Sequence, residues 1–182
     1  INRILGQQYH AVVGNPPYIT VKDKSLNDLY RARYSTCHMK YSLGIPFTER
    51  FFQLTLSDAD LPVGYLGLIT TNSFMKREFG KKLIEEYLPQ QELTHVIDTS
   101  GAYIPGHGTP TVILFARHRK PKLNSLRAVF GIRGEPFTPK SAVEGVVWRS
   151  IVDFIEHPGK RNDFISVSEI DRDYFCTHPW SL

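Results

Sequence analysis

Asn15-Pro16-Pro17-Tyr18 is the run whose residue types and spacing most directly imply chemistry. Two successive prolines fix the backbone and remove two N–H donors. A rigid turn of this kind presents carbonyl oxygens, and Asn15 adds a side-chain amide oxygen. Such acceptors suit a planar amino group, which offers two N–H donors. Tyr18 contributes a flat surface for stacking on an aromatic ring. The four residues therefore make a receptor for an exocyclic amine on a planar base. The alternative reading is a proline-rich turn capped by asparagine, and a four-residue match alone does not decide between them.

The elements around the turn favour the receptor. Tyr9 to Val13 is a short apolar run ending at Gly14, which predicts a buried strand directly before Asn15. In a parallel α/β sheet, ligands bind at the carboxyl ends of strands. Asp23 to Tyr34 is polar and predicts an exposed helix. Phe47, Phe51 and Leu54 recur at helical spacing, so Pro46 to Ala59 is expected to be an amphipathic helix with proline in its first turn. Tyr65 to Thr70 is a second buried strand. A helix capped by Asn72 or Ser73 follows, with Phe79, Leu83, Ile84 and Tyr87 on one side and Pro89 as its stop. Leu93 to Ile97 and Thr111 to Ala116 are two further strands. The link between those two is too short for a helical crossover, so they should pair antiparallel. Beyond Arg117 the pattern weakens to a strand over Leu126 to Ile132 and a helix over Val146 to Glu156. Alternating strands and helices predict an α/β fold with a mostly parallel sheet, a terminal antiparallel strand and helices on both faces. We expect one unit over residues 1–120, and over 121–182 the start of a further region.

Composition narrows the classes. The chain has 182 residues, a formal net charge of +4 and 22% charged residues, values of a folded rather than a disordered protein. No apolar run approaches the roughly 20 residues needed to span a bilayer. Ile1-Asn2-Arg3 carries no leader, and the chain reads as an internal fragment of a cytoplasmic protein with no membrane partner. Cys37-His38 and Cys176-Thr177-His178 match no zinc-finger spacing, so two unrelated thiols and no metal are expected. Lys76, Arg77, Lys81 and Lys82 form one basic cluster, and Arg117, Arg119, Lys120 and Lys122 a second. Positive charge permits nucleic-acid binding, although two solvated faces explain the same pattern.

Across roughly residues 9 to 117 the chain resembles the amino-group DNA methyltransferases of the N6-adenine type. Asn15-Pro16-Pro17-Tyr18 looks like catalytic motif IV of that family, and the helix carrying Phe47 looks like motif V. Gly64 to Phe74 resembles motif VI, and Leu93 to Asp98 resembles motif VII. Tyr103-Ile104-Pro105, leading into Thr111 to Phe115, looks like motif VIII. The wording is closest to the large PglX-type methyltransferases of bacterial BREX phage-defence systems. The resemblance implies a Rossmann-like methyltransferase fold, present here in part, with S-adenosyl-L-methionine as cofactor. It also implies double-stranded DNA as partner, and other phage-defence proteins beside it.

The resemblance further implies roles. The target adenine is flipped out of the duplex. The Asn15 side chain and the Pro16 carbonyl accept from its amino group, Pro17 keeps the turn rigid, and Tyr18 stacks on the base. Methyl transfer is direct, so the protein supplies position and electrostatics. Tyr103, where the family often has phenylalanine, is placed on the other side of the base. Phe47 is placed near the cofactor's adenine. The plainer alternatives are a strand-end aromatic for Tyr103 and helix core for Phe47. Gly106-His107-Gly108 lacks the lysine of a phosphate-binding loop and reads as a pocket rim, with no general base required of His107. The family's glycine loop and acidic residue for the cofactor do not precede residue 15, so the main cofactor site is expected upstream of Ile1. Glutamine-modifying protein methyltransferases use the same turn, RNA methyltransferases are a related option, and a non-catalytic DNA-binding module with this shape is the remaining alternative.

Overall fold

In a computed structural model, residues 2–57, 62–106 and 108–182 are described. The expected strand before the turn forms as β1, Ala11–Gly14, after a short helix α1, Asn2–Leu5, but it is not buried as expected: it is the outermost strand on its side of the sheet, and Val13 is 83% exposed. Next come helices α2, Lys24–Arg33, and α3, Gly44–Leu54, and strand β2, Tyr65–Thr71. A single turn α4, Ser73–Lys76, leads through further short turns to β3, Glu92–Asp98, and β4, Thr111–Arg117. The chain closes with β5, Ser125–Gly131, helix α5, Val146–Phe154, and β6, Ile165–Asp171.

The strands make one sheet in the order β1-β2-β4-β3-β5-β6. β1, β2, β3 and β5 run one way; β4 and β6 run against them. The antiparallel β4 expected from the short link is therefore present, inserted between β2 and β3. β5 pairs parallel to β3, so the sheet continues through residue 120. Val13, Gly67, Phe115, His95, Arg127 and Glu169 are successive partners across all six strands.

Two elements differ from the sequence expectation. Helix α3 starts at Gly44 and stops at Leu54 rather than running to Ala59. Its end is set by competition from outside: the Tyr9 amide donates to the Leu54 carbonyl and the Leu56 amide to the Tyr9 carbonyl (2.7 and 2.9 Å), which pulls 54–56 into an extended course. Ala59 itself lies outside the described residues, as does His107. The long helix expected after Asn72 is instead a chain of short turns with a π-helical stretch at Leu83–Tyr87. It folds back at Gly80, where a Cβ would collide with the Phe74 carbonyl. The apolar side is nonetheless as expected, with Phe79, Leu83 and Ile84 buried.

One face of the sheet carries most of the core: Leu66, Leu68, Leu114 and Val96 under Phe52, Ile84 and Leu88. The C-terminal segment joins it, with Trp180 edge-on to Phe74 and Phe175 (5.7 and 5.0 Å between ring centres). On the other face α5 covers only the far side, through Val147 and Ile151 on Ile97, Val129 and Val167. Among the described residues that face stays open over Val13, Tyr65 and Phe115, where helical cover was expected.

Candidate active site

β1 ends at Gly14 because the ring of Phe51 occupies the place where a side chain would stand. Phe51 is fixed in turn by Phe47 at right angles to it, ring centres 5.8 Å apart. Helix α3 thus reaches the exit of β1 through two aromatic rings. Beyond Gly14, Pro16 is buried while Asn15 and Pro17 are exposed. The buried ring anchors the turn, and Asn15 projects an amide that no side-chain hydrogen bond holds among the described residues. On the downstream side the Leu43 amide donates to the Ile19 carbonyl (2.8 Å), and Thr20 bridges to Ser42. The turn is therefore pinned at both ends, which limits the reorganisation its acceptors need on binding.

The loops after β2 and β3 meet the one entering β4. The Asn72 amide donates to the Pro110 carbonyl at 3.1 Å. Thr99 and Thr111 join through a backbone bond of 3.1 Å and a hydroxyl pair at 2.8 Å. Asn72 stands at the N-terminal position of α4, but its side chain makes no capping bond; instead the Ser73 amide donates to the Thr71 hydroxyl at 3.3 Å. These loops and the Tyr18 turn enclose a cleft of about 580 Å³, with Ser42, Thr71, Asn72, Thr109 and Pro110 on its walls. Lys40, Lys76 and Arg77 also line it, and no carboxylate does among the described residues. Burial pushes the Tyr18 phenol above its usual range, so the ring is a neutral surface at ordinary pH.

Tyr103 is half-buried in the loop after β3 and lines two other hollows. One, of about 190 Å³, is apolar, walled by Ile69, Ile104, Pro105, Ile113 and Trp148. The second, about 440 Å³, opens between Tyr103 and the segment Glu135 to Thr138. Tyr18 lines neither, so the two tyrosines share one sheet edge but face separate hollows. Phe47 is half-buried and borders the β1 exit.

Sequence reasoning missed Gly14 and Phe51, although both carried a signal: Gly14 immediately precedes the turn, and Phe51 falls four residues after Phe47. It also missed Lys40. Cys37 and Cys176 are free thiols, buried and half-buried, and among the described residues no three His, Cys, Asp or Glu side chains gather into a metal-binding group.

An acceptor turn at the carboxyl end of a co-directional strand, with an antiparallel strand inserted between the second and third of those strands, defines the class: a Rossmann-like methyltransferase fold. The chain belongs to the Eco57I restriction-modification methylase family, whose model matches residues 3–104. It is 56% identical over 181 residues to the adenine-specific methyltransferase PglX of Streptomyces coelicolor, covering 96% of this chain and 15% of that protein. It is 33% identical over 122 residues to the type II methyltransferase M.XhoI of Xanthomonas vasicola, covering 65% of this chain and 21% of that one. The chain thus spans a minor share of either relative's length. Among solved structures, the type IIG restriction endonuclease BpuSI matches with a TM-score of 0.64 at 13% identity, over 96% of this chain and 22% of that one. The methyltransferase subunit of a type I system from Streptococcus thermophilus matches at 0.56 and 14% identity, over 89% and 34%. At such identity these two speak to the fold alone.

Proposed function

We propose that this chain is the base-side half of a site that methylates the N6 amino group of adenine in double-stranded DNA, as part of bacterial phage defence. The observation that carries the proposal is Asn15: an exposed, unengaged amide on a turn anchored by buried Pro16, whose Tyr18 lines a cleft with an all-cationic charged lining. Cationic walls attract phosphate, and a neutral Tyr18 offers the flipped base a face. Asn15 and the Pro16 carbonyl accept from the amino group and aim its lone pair, and Pro17 holds the turn; Tyr103, which lines a separate hollow in this structure, would have to swing towards the Tyr18 cleft to meet the other side of the base. The name of the PglX relative, an adenine-specific methyltransferase, supports adenine as target.

The residues present fit one flank of S-adenosyl-L-methionine. Phe47 is a half-exposed aromatic surface held against Phe51 at the β1 exit, which suits a purine ring. Bound there, the cofactor supplies an activated methyl group. We place its remaining contacts outside residues 1–182, and DNA target choice in the region that 121–182 leads into. No helix among the described residues is long and apolar enough to cross a membrane.

The test is Asn15→Ala in the full-length protein, with methyl transfer measured on duplex DNA, RNA and a glutamine-containing peptide. We expect transfer to DNA adenine alone, reduced about 10² to 10³-fold by the substitution because one oriented acceptor at the reacting centre is lost. Near-normal transfer by the variant, or transfer to peptide or RNA instead, overturns the proposal.

A further inference from the structure

We infer that the loop after β5 is a DNA-entering arm, and that Phe137 is an apolar wedge taking up the space left in the duplex when the target base is extruded. The inference rests on the reading of this chain as a base-flipping methyltransferase and adds a residue beyond the stretch matched by the family model, 3–104.

Phe137 is 83% exposed, among the most exposed large apolar side chains of the described residues. Covering that ring on binding would recover the burial energy that its exposure forgoes. Its backbone is stiffened by Pro136 and Pro139 on either side. The base of the loop is fixed as well. The Glu135 amide donates to the Gly101 carbonyl at 3.0 Å, at the root of the loop that carries Tyr103. The Glu135 carboxylate accepts from the Val146 and Val147 amides, 3.0 and 2.9 Å, at the start of α5. One residue thus couples the arm, the Tyr103 loop and a helix.

Position and charge agree with this role. Because β5 runs with β1, β2 and β3, the loop that follows it leaves the same end of the sheet as the Asn15 turn. Phe137 and Tyr103 border one hollow of about 440 Å³. Arg133 and Lys140 flank the tip, both exposed; of the loop's two acids, Glu135 is committed to the start of α5, and Glu144 lies seven residues past Phe137, next to α5. Cations beside an apolar tip are the chemistry of a duplex that is held by its phosphates and unstacked at a base step. An apolar side chain in the vacated position offsets the stacking lost when the base leaves.

The experiment uses the full-length protein and a duplex carrying its modification site, with 2-aminopurine at the target position. Phe137→Ala should lower the fluorescence gain on binding and weaken affinity for the matched duplex about tenfold, within the range of aromatic–base contacts. Phe137→Leu should keep most of both, since leucine also serves as a wedge. When the target is mispaired, extrusion is already easy and the alanine variant should approach wild type. Equal fluorescence and affinity for alanine and wild type on the matched duplex overturn the wedge alone. So does an equal loss on matched and mispaired duplexes, which marks a general contact. Absence of any extrusion by the wild-type protein overturns the wedge together with the reading beneath it.

Discussion

The two ends of the sheet carry similar numbers of cations and use them in opposite ways. At the end where β1, β2 and β3 finish, Lys40, Lys76 and Arg77 line the Tyr18 cleft with no acidic partner among the described residues. At the other end Arg117, Arg119, Arg127 and Arg172 surround a cavity of about 320 Å³ in which the charges are largely engaged. Arg119 binds Glu92 at 2.6 Å and Arg127 binds Glu156 at 2.7 Å. Arg172 donates to the Leu93 and Leu123 carbonyls, and Arg117 lies over the Tyr65 ring at 4.7 Å. One end keeps its charge available to an anionic ligand, and the other spends it on tying strands together. A net charge of +4 does not distinguish the two; pairing does.

The comparison is tested hardest at Glu92, whose side chain is only 5% exposed. Burial alone would raise its pKa, but the Arg119 hydrogen bond, the Lys122 amide and the nearby guanidiniums together hold its carboxyl below the usual range. Glu92→Ala leaves Arg119 without its partner and should cost about 3 kcal/mol in chemical denaturation, the scale for breaking a buried pair. The pH dependence has a definite sign. A depressed folded pKa gives stability that is full above the ordinary carboxylate range and fades as pH falls through it, and the alanine variant should lack that share of acid sensitivity. A change in DNA affinity without a change in stability would mean that this end binds ligand after all.

Much of this was legible in the sequence, and the failures are physical. Apolar runs located β2 to β5 because a buried strand must be apolar whatever its neighbours; the run at β1 located that strand too, although as an outermost strand it is largely exposed. The short β3–β4 link settled their antiparallel pairing by length alone. β6 went unread because its alternation, with Ile165 and Val167 inward and Ser166 and Ser168 between, rests on few apolar residues. The ends of α3 and the broken turns after Asn72 were set by partners distant in sequence, Tyr9 in one case and the Phe74–Gly80 approach in the other. The same limit applied to charge. Lys76-Arg77 and Arg117-Lys122 look alike as clusters, and only the fold brings Glu92 to one of them. The acceptor turn was readable because its chemistry lies in four consecutive residues; the separation of Tyr18 from Tyr103 was not, because it depends on where two loops point.

A smaller effect is expected at the free end. Lys76 and Arg77 are exposed and make no ion pair among the described residues, so Lys76→Ala with Arg77→Ala should change stability by less than about 0.5 kcal/mol. If both meet phosphate, the double variant should bind DNA about tenfold more weakly at moderate salt. Its slope of log affinity against log salt should fall by about two, close to one per lost contact. An unchanged slope would show that this charge does not face the backbone, and the contrast between the two ends would be lost.

The smallest effect distinguishes pairs within the engaged end. Glu156 is 72% exposed where it meets Arg127, so Glu156→Gln should cost less than about 1 kcal/mol, in contrast to Glu92. It should nonetheless be visible at His95, which neighbours Arg127 across the β3–β5 pair. Burial lowers the His95 pKa first, Arg127 lowers it further, and Glu156 works the other way. Removing the Glu156 charge therefore deepens the depression. A histidine with a lowered folded pKa binds fewer protons folded than unfolded at mildly acidic pH, so stability rises with pH through that window. Glu156→Gln should steepen that rise slightly and move the His95 imidazole titration, followed by NMR, to lower pH. A shift to higher pH, or none, would mean that the Arg127–Glu156 pair does not reach His95 and that the charges at this end act separately.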